Sequence, residues 1–179
     1  RILIHDNCSI NIDTNGQNIR FASVVDSGPF WADLVKKGAG DLILSPGANS
    51  SYGFSYIQIR EGRLVLDSAG ALGDPSSPAN QFEIWFDGGR LRHTINNTLS
   101  YAGRVIAIDG KDVSIDVDTG ASVVYGAGIN GNQSTLRKFG AGSLAISGDS
   151  GLIGQNADLS AARLGVTVSS WVEEGTLVA

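Results

Sequence analysis

Two closely similar stretches of sequence occur in this chain, about a hundred positions apart. LVKKGAGDLILS, Leu34–Ser45, returns as LRKFGAGSLAIS, Leu136–Ser147, and each copy is followed by a second motif, EGRLVL at Glu61 and EGTLVA at Glu174. Internal repetition on this scale is typical of solenoids, in which each unit buries its apolar face by stacking on its neighbours. The repeat therefore predicts a stacked architecture before any residue is considered for chemistry.

The repeat extends beyond these motifs, because SINIDTNG in the first copy returns as SIDVDTG in the second. We interpret the chain as one β-helix segment, 1–179, with two copies of a repeat of about 102 residues, 9–66 and 114–179. The second copy carries a loop insertion near 150–162. Since the last residues stop within a repeat, we expect the segment to be a fragment of a longer helix.

Leucine, lysine and glycine recur at matching places in the two copies. Glycine can adopt a positive φ in a turn because it has no Cβ to clash. We predict that the following residues form the structural repeat motif: Leu34, Lys36, Gly38, Gly40, Leu42, Leu44, Gly62, Leu64, Leu136, Lys138, Gly140, Gly142, Leu144, Ile146, Gly175 and Leu177.

Apolar residues alternate with polar or small ones through most of the chain, which predicts short strands with one buried face. The predicted inward residues are Ile10, Ile12, Leu42, Leu44, Ile57, Ile59, Leu64, Leu66, Ile84, Phe86, Ile106, Ile108, Ile115, Val117, Leu144, Ile146, Leu164, Val166 and Val168. Glycine-rich turns separate these strands. The best candidate for a short helical turn is Asp158–Leu164.

Short strands joined by glycine turns are compatible with either a β-sandwich or a coil of parallel strands. A sandwich has no need of a long internal period, and Leu, Ile and Val at inward positions can stack on their counterparts in the next rung. We therefore predict an all-β parallel β-helix, with about eight rungs of roughly 20 to 25 residues each.

Charge and cysteine content restrict the partners of this chain. Thirteen basic and 18 acidic residues give a net charge of −5, which disfavours nucleic acid as a partner. No apolar segment is long enough for a transmembrane helix. The single cysteine, Cys8, excludes an internal disulfide, and we expect it to be a small buried residue near the strand Ile10–Ile12.

Groups with catalytic or metal-binding potential are few, so we predict no catalytic, cofactor or metal site. Asp116 and Asp118 project from one strand face, where paired acids can bind calcium or act as acid and base; alternation alone also requires outward acids here. His5 and His93 lie far apart in sequence and near no nucleophile motif. The GxGxxG pattern that begins at Gly126 precedes no helix, which favours a turn between rungs over a dinucleotide site.

Outward aromatic residues give the chain one candidate binding surface. Tyr56, Gln58 and Arg60 alternate with inward isoleucines, and Trp85 lies opposite its inward neighbours on its own strand. Tyr56 and Trp85 could stack on sugar rings, or they could pack beneath the connection 73–81.

The motifs LVKKGAGDLILS and LRKFGAGSLAIS, the later EGxLxL and the intervening stretch Asn96–Asn132 resemble the autotransporter-associated β-strand repeat of Gram-negative passenger domains. This resemblance covers most of the chain. It implies a right-handed β-helix that is exported and displayed at the cell surface or released, with an outer-membrane β-barrel of the same precursor as its partner. The same repeat also resembles stretches of large surface proteins without a barrel.

Three functional hypotheses follow. The first is a non-catalytic structural or passenger segment that supports export-coupled folding, which the repetition favours. The second is an adhesin or a module that binds a host surface or a glycan, which only the outward aromatics support. The third is a polysaccharide lyase or hydrolase, because parallel β-helices include such enzymes, although fold alone does not confer function.

Overall fold

The structure is a computed structural model that describes residues 2–3, 8–23, 25–26, 32–45, 54–68, 71, 83–95, 99–101, 104–125, 129–146, 151–153, 171–172 and 176–178. All regular secondary structure within these ranges is β-strand. The strands are β1 Ile2–Leu3, β2 Ser9–Asp13, β3 Ile19–Phe21, β4 Val25–Asp26, β5 Ala32–Lys37, β6 Asp41–Leu44, β7 Phe54–Ile59, β8 Arg63–Leu66, β9 Glu83–Phe86, β10 Arg90–His93, β11 Leu99–Tyr101, β12 Arg104–Ala107, β13 Val113–Val117, β14 Ser122–Tyr125, β15 Ile129–Asn132, β16 Leu136–Phe139, β17 Ser143–Ile146, β18 Gly151–Ile153, β19 Trp171–Val172 and β20 Thr176–Val178. The predicted helical turn and the predicted strand residues Leu164, Val166 and Val168 lie outside the described residues.

All the strand pairs between described residues are parallel, and they form three larger sheets and one small one. Sheet I has the order β2-β5-β7-β9-β12-β15-β18, and sheet II has the order β3-β6-β8-β10-β13-β16-β19. Sheet III contains β11-β14-β17-β20, and β1 pairs with β4 alone. From β9 to β20 the chain visits sheets I, II and III in turn and then returns to sheet I. It is therefore a parallel β-solenoid, which confirms the predicted fold class at this level.

Aliphatic residues stack in register to form the core. Leu42, Leu64, Leu91 and Ile115 are successive partners in sheet II, and none of them is exposed to solvent. A second column runs through sheet I, formed by Leu34, Ile57, Ile84 and Val105. Because a parallel coil places equivalent positions above one another, short apolar pairs far apart in sequence produce one continuous core.

Two predictions of residue orientation or burial are wrong. On β12 the buried residues are Val105 and Ala107, whereas Ile106, predicted to point inward with Ile108, is only half-buried. Apolar residues occupy both faces of this strand, so alternation alone fits either register. Cys8 is exposed and does not belong to the core, because it precedes β2 at a place where no described segment covers it.

The two copies of the sequence repeat occupy different sides of the coil. The motif of the first copy runs from β5 in sheet I to β6 in sheet II, whereas that of the second runs from β16 in sheet II to β17 in sheet III. The flanking motifs shift in the same way. SINID in β2 of sheet I corresponds to SIDV in β13 of sheet II, and RLVL in β8 of sheet II corresponds to TLV in β20 of sheet III. One repeat therefore corresponds to four turns of the coil and one further side.

Candidate functional site

A fully buried lysine closes the corner between β5 and β6. Lys36 points into the core between Ile12 and Ile59, its partners on the neighbouring strands. Its Nζ donates to the backbone oxygens of Lys37 at 2.8 Å, Gly38 at 2.7 Å and Glu61 at 3.0 Å. These carbonyl groups replace the hydration that the ammonium loses on burial.

The same amine links three successive turns of the coil. Besides its own corner and Glu61 of the next turn, Lys36 donates to the hydroxyl of Thr14, 3.1 Å away in the preceding turn. Burial lowers the pKa of Lys36, and the charges of Asp41, Asp13 and Glu61 act in the opposite direction. The lysine therefore holds stacked corners together by hydrogen bonds.

The second copy of the motif places its lysine in the same way, although it lies on another side of the coil. Lys138 is fully buried on β16, and its Nζ donates to the backbone oxygens of Phe139 and Gly140. In both copies a glycine two residues after the lysine has a positive φ, 75° at Gly38 and 74° at Gly140. The lysine and the glycine thus form one local unit, which we call the lysine corner.

The corner glycines are also required for close packing. A Cβ on Gly38 would overlap the side chain of Asp13 and lie 2.7 Å from the backbone nitrogen of Asn15. A Cβ on Gly62 would lie 2.5 Å from the carbonyl oxygens of both Gly38 and Gly40, so successive corners touch through their backbones. A side chain at either position would push two turns apart.

The other predicted motif residues lie in different environments. Leu34, Leu42, Leu44, Leu64, Leu136 and Leu144 are buried, and Ile146 packs partly buried against the core. Gly142 leaves no room for a side chain beside Asp118 and Ala121. Leu177 lies in β20 opposite Leu144, and Gly175 is outside the described residues.

The two candidate glycan-binding aromatics are neighbours on the outer face of sheet I. The ring centroids of Tyr56 and Trp85 lie 5.6 Å apart with an interplanar angle of 42°, and both side chains are half-buried. Trp85 Nε1 donates to Glu83 Oε2 at 3.0 Å. Burial, and after it the charge of Asp33, raises the pKa of Tyr56, so its hydroxyl remains protonated at neutral pH.

Gln58 faces outward as predicted, since Ile57 and Ile59 on either side of it belong to the core, but it is buried. Only 7% of it is exposed, and its Nε2 donates to Asp87 Oδ2 at 3.0 Å. Arg60 is exposed and forms an ion pair with the same carboxylate at 3.6 Å. The outer face beside the aromatic pair is therefore organised around Asp87.

The predicted outward orientation of Asp116 and Asp118 is confirmed, since Ile115 and Val117, which alternate with them, are fully buried. Asp118 accepts two hydrogen bonds from Arg92, at 2.9 and 3.0 Å, and these bonds raise the pKa of Arg92. The two acids are therefore not an equivalent pair. Within the described part of the chain, no cluster of His, Cys, Asp or Glu is suited to hold a metal ion.

His93 is completely buried and lies 2.9 Å from the hydroxyl of Tyr125, through Nε2. Burial lowers the pKa of His93 to about 3. The imidazole is therefore neutral at physiological pH. His5 is outside the described residues.

Sequence patterns alone did not indicate the burial of Lys36, Lys138 or His93, because alternation assigns polar residues to the outside. Alternation itself could have identified a buried lysine, because Lys36 occupies the next inward position after Ala32 and Leu34. The spacing to the next glycine then places the amine at the turn.

The fold and its corners define a parallel β-solenoid with lysine corners. No family model, curated protein or solved structure matches the chain. Among the described residues there is no helix that could span a membrane. The resemblance to the autotransporter-associated repeat thus depends on the motifs alone.

Proposed function

We propose that the chain is a non-catalytic structural segment of a secreted or surface-displayed, autotransporter-like protein of a Gram-negative bacterium. In this proposal the segment supports export-coupled folding and presents other parts of the protein outside the cell. An outer-membrane β-barrel of the same precursor would be its partner. The observation that carries the proposal is the lysine corner, which occurs in both copies of the repeat and at Lys36 joins three successive turns.

The turns of such a coil can form one after another from one end. Each turn offers a row of strand edges and an aliphatic column on which the next turn can stack. Lys36 adds hydrogen bonds to the turns before and after its own. A chain emerging from one end could therefore fold turn by turn, and the burial of each new turn would oppose its return.

The proposal includes a right-handed coil of about eight rungs, and the seven strands in each of sheets I and II support a coil of many turns. Connections between parallel strands of one sheet are right-handed in about 98% of cases, which supports this handedness. An experimental structure of the segment tests both the handedness and the number of rungs.

The test of export-coupled folding uses the precursor on intact cells. Deleting Leu136–Ser147, which removes one lysine corner, should reduce surface display. Two matched glycine variants test folding without shortening the chain as the deletion does. A Cβ on Gly140 would overlap the backbone oxygen of Val117, whereas a Cβ on Gly120 would have nothing within 4 Å. We expect Gly140→Ala to reduce display more than Gly120→Ala. Undiminished display of Gly140→Ala, together with lower stability of the purified segment, would contradict the coupling.

A second candidate function is glycan binding at Tyr56 and Trp85. The observation in its favour is the contact between the two rings on the outer face of sheet I, beside the hydrogen-bonding group of Glu83. Tyr56→Ala and Trp85→Ala should each abolish binding on a glycan array, and Arg60→Ala is the control on the same face. Binding that survives both aromatic substitutions rules this candidate out.

A further inference from the structure

A groove of about 690 Å³ lies on the outer face of sheet II, away from the aromatic pair. Its walls come from β8, β10, β13 and β16, which are consecutive strands of that sheet. Such a volume is within the range of about 300 to 1,000 Å³ that is typical of ligand sites. One wall of the groove is formed by the second lysine corner, through Phe139 and Gly140.

One arginine of this groove, Arg90, differs from its neighbours in its ion pairing. Three arginines lie in one row across the sheet: Arg63 is paired with Asp41 at 2.8 Å, and Arg137 is paired with Asp112 at 2.7 Å. Arg90 lies between them, and no acid among the described residues forms an ion pair with it.

The guanidinium group of Arg90 stacks on an aromatic ring. Its guanidinium carbon lies 3.4 Å from the centroid of the Phe139 ring, and this stack orients the group. Ser114, the partner of Arg90 on the next strand, has a short side chain without charge. The N–H groups at the edge of a stacked guanidinium can bind a planar carboxylate with two parallel hydrogen bonds.

The same groove also contains a negatively charged side chain. Asp116 lines it and has no hydrogen bond or ion pair with another described side chain, because Arg92 is engaged with Asp118. A free carboxylate repels a densely charged chain of phosphates and accepts hydrogen bonds from hydroxyl groups. Thr94 also lines the groove, and because its hydroxyl donates to the backbone oxygen of Leu66 at 3.4 Å, it offers a ligand an acceptor only.

We propose that this groove binds an acidic oligosaccharide, with a sugar carboxylate on Arg90 and neighbouring sugar hydroxyls on Asp116. One cation next to one hydroxyl acceptor matches a uronic acid unit, in which a carboxylate and hydroxyls share a ring. An acidic peptide also carries carboxylates, but its side chains offer no hydroxyl donors to Asp116. This inference does not depend on export or on the Tyr56–Trp85 pair.

The test is calorimetric titration of the purified segment with tetragalacturonate, with a neutral galactose tetramer and with tetraglutamate. We expect tetragalacturonate to bind, more weakly at high salt, and both other probes to bind at least about tenfold more weakly. Arg90→Gln should weaken tetragalacturonate binding about tenfold or more, and Asp116→Asn should also weaken it, whereas Arg60→Gln on sheet I should leave it unchanged. Arg90→Lys should fall between wild type and Arg90→Gln, since it retains the charge and loses the planar fork.

Circular dichroism of each variant verifies that the coil is intact. The proposal is overturned if tetragalacturonate does not bind at millimolar concentration, or if Arg90→Gln binds it as wild type does. Equal binding of the neutral tetramer shows that the carboxylate is not recognised, and tighter binding of tetraglutamate assigns the groove to acidic peptides instead. Each of these results rejects the acidic oligosaccharide.

Discussion

At the scale of single residues, the least expected groups are the polar ones inside the core. A buried ammonium costs several kcal/mol unless hydrogen bonds replace its hydration. Lys36 meets this condition with three backbone oxygens and one hydroxyl within 3.1 Å. Its neighbour Lys37 is half-buried and points to the other face of the strand. The two lysines of KK therefore have different roles.

We expect Lys36→Met to lower the free energy of unfolding by about 2 to 3 kcal/mol, because carbonyl groups at the corner lose their donor. Lys37→Met, the matched control, should change it by less than about 0.5 kcal/mol. Urea denaturation followed by circular dichroism measures both values. Equal effects of the two substitutions would show that the hydrogen bonds of Lys36 do not stabilise the corner.

Because His93 is buried and its pKa is lowered, we expect the free energy of unfolding to depend on pH. Its pKa is about 3 in the folded chain and about 6.5 when unfolded, so the unfolded state binds a proton that the folded state does not. Stability should therefore be lost as the pH falls from about 6.5 towards 3, by up to about 1.4 kcal/mol per pH unit. Between pH 7.5 and 4.5 the contribution of His93 is about 2 to 3 kcal/mol.

The variant His93→Gln isolates this contribution, since it cannot titrate and keeps a polar group near Tyr125. The free energy of unfolding of wild type should fall more than that of His93→Gln between the two pH values, by about 2 to 3 kcal/mol. Carboxylates elsewhere in the chain change the free energy of unfolding of both proteins by the same amount. Parallel pH profiles would mean that His93 can accept a proton in the folded coil.

At the scale of elements, the corners decide how closely two turns approach. Gly16 and Gly38 both have a positive φ, 76° and 75°. Around Gly16 there is nothing within 4 Å of an added Cβ, whereas at Gly38 the Cβ would meet the corner of the preceding turn. These two glycines therefore separate the effect of backbone conformation from that of packing.

Gly16→Ala should cost about 1 to 2 kcal/mol, because only the left-handed conformation is strained. Gly38→Ala should cost at least about 2 kcal/mol more, since the backbone at Asn15 cannot move away without separating two strands. Thermal unfolding of the two variants compares them directly. Similar transition temperatures would indicate that the corners are loosely packed.

The sequence predicted much of each element but little of how elements meet. Alternation placed Ile57, Ile84 and Ile115 inside, because the other face of each strand carries polar or aromatic residues and no aliphatic ones. It failed at Ile106, where both faces are apolar. The stack of Arg90 on Phe139 could not be predicted, because it joins residues 49 positions apart whose proximity depends on the register of three strands.

At the scale of the whole molecule, the turn of the coil and the repeat of the sequence are different units. The second copy lies one side further round than the first, yet Lys36 and Lys138 form the same corner. A corner therefore depends on its own residues and on the turns directly above and below it. This is the behaviour of a solenoid with nearest-neighbour interactions, and it makes whole turns removable.

We expect a variant that lacks Leu42–Arg63 to fold into a coil one turn shorter. Leu42 pairs with Leu64, so this deletion joins Asp41 to Leu64 and gives Leu64 the place of Leu42. Small-angle scattering should show a long dimension reduced by about 5 Å, the spacing of adjacent strands, with the β-sheet circular dichroism signal retained. The matched control, deletion of Leu42–Tyr52, removes half a turn and takes each later strand out of register with the aliphatic columns, so it should lose cooperative unfolding. If the two deletions behave alike, stability does not depend on the stacking of whole turns.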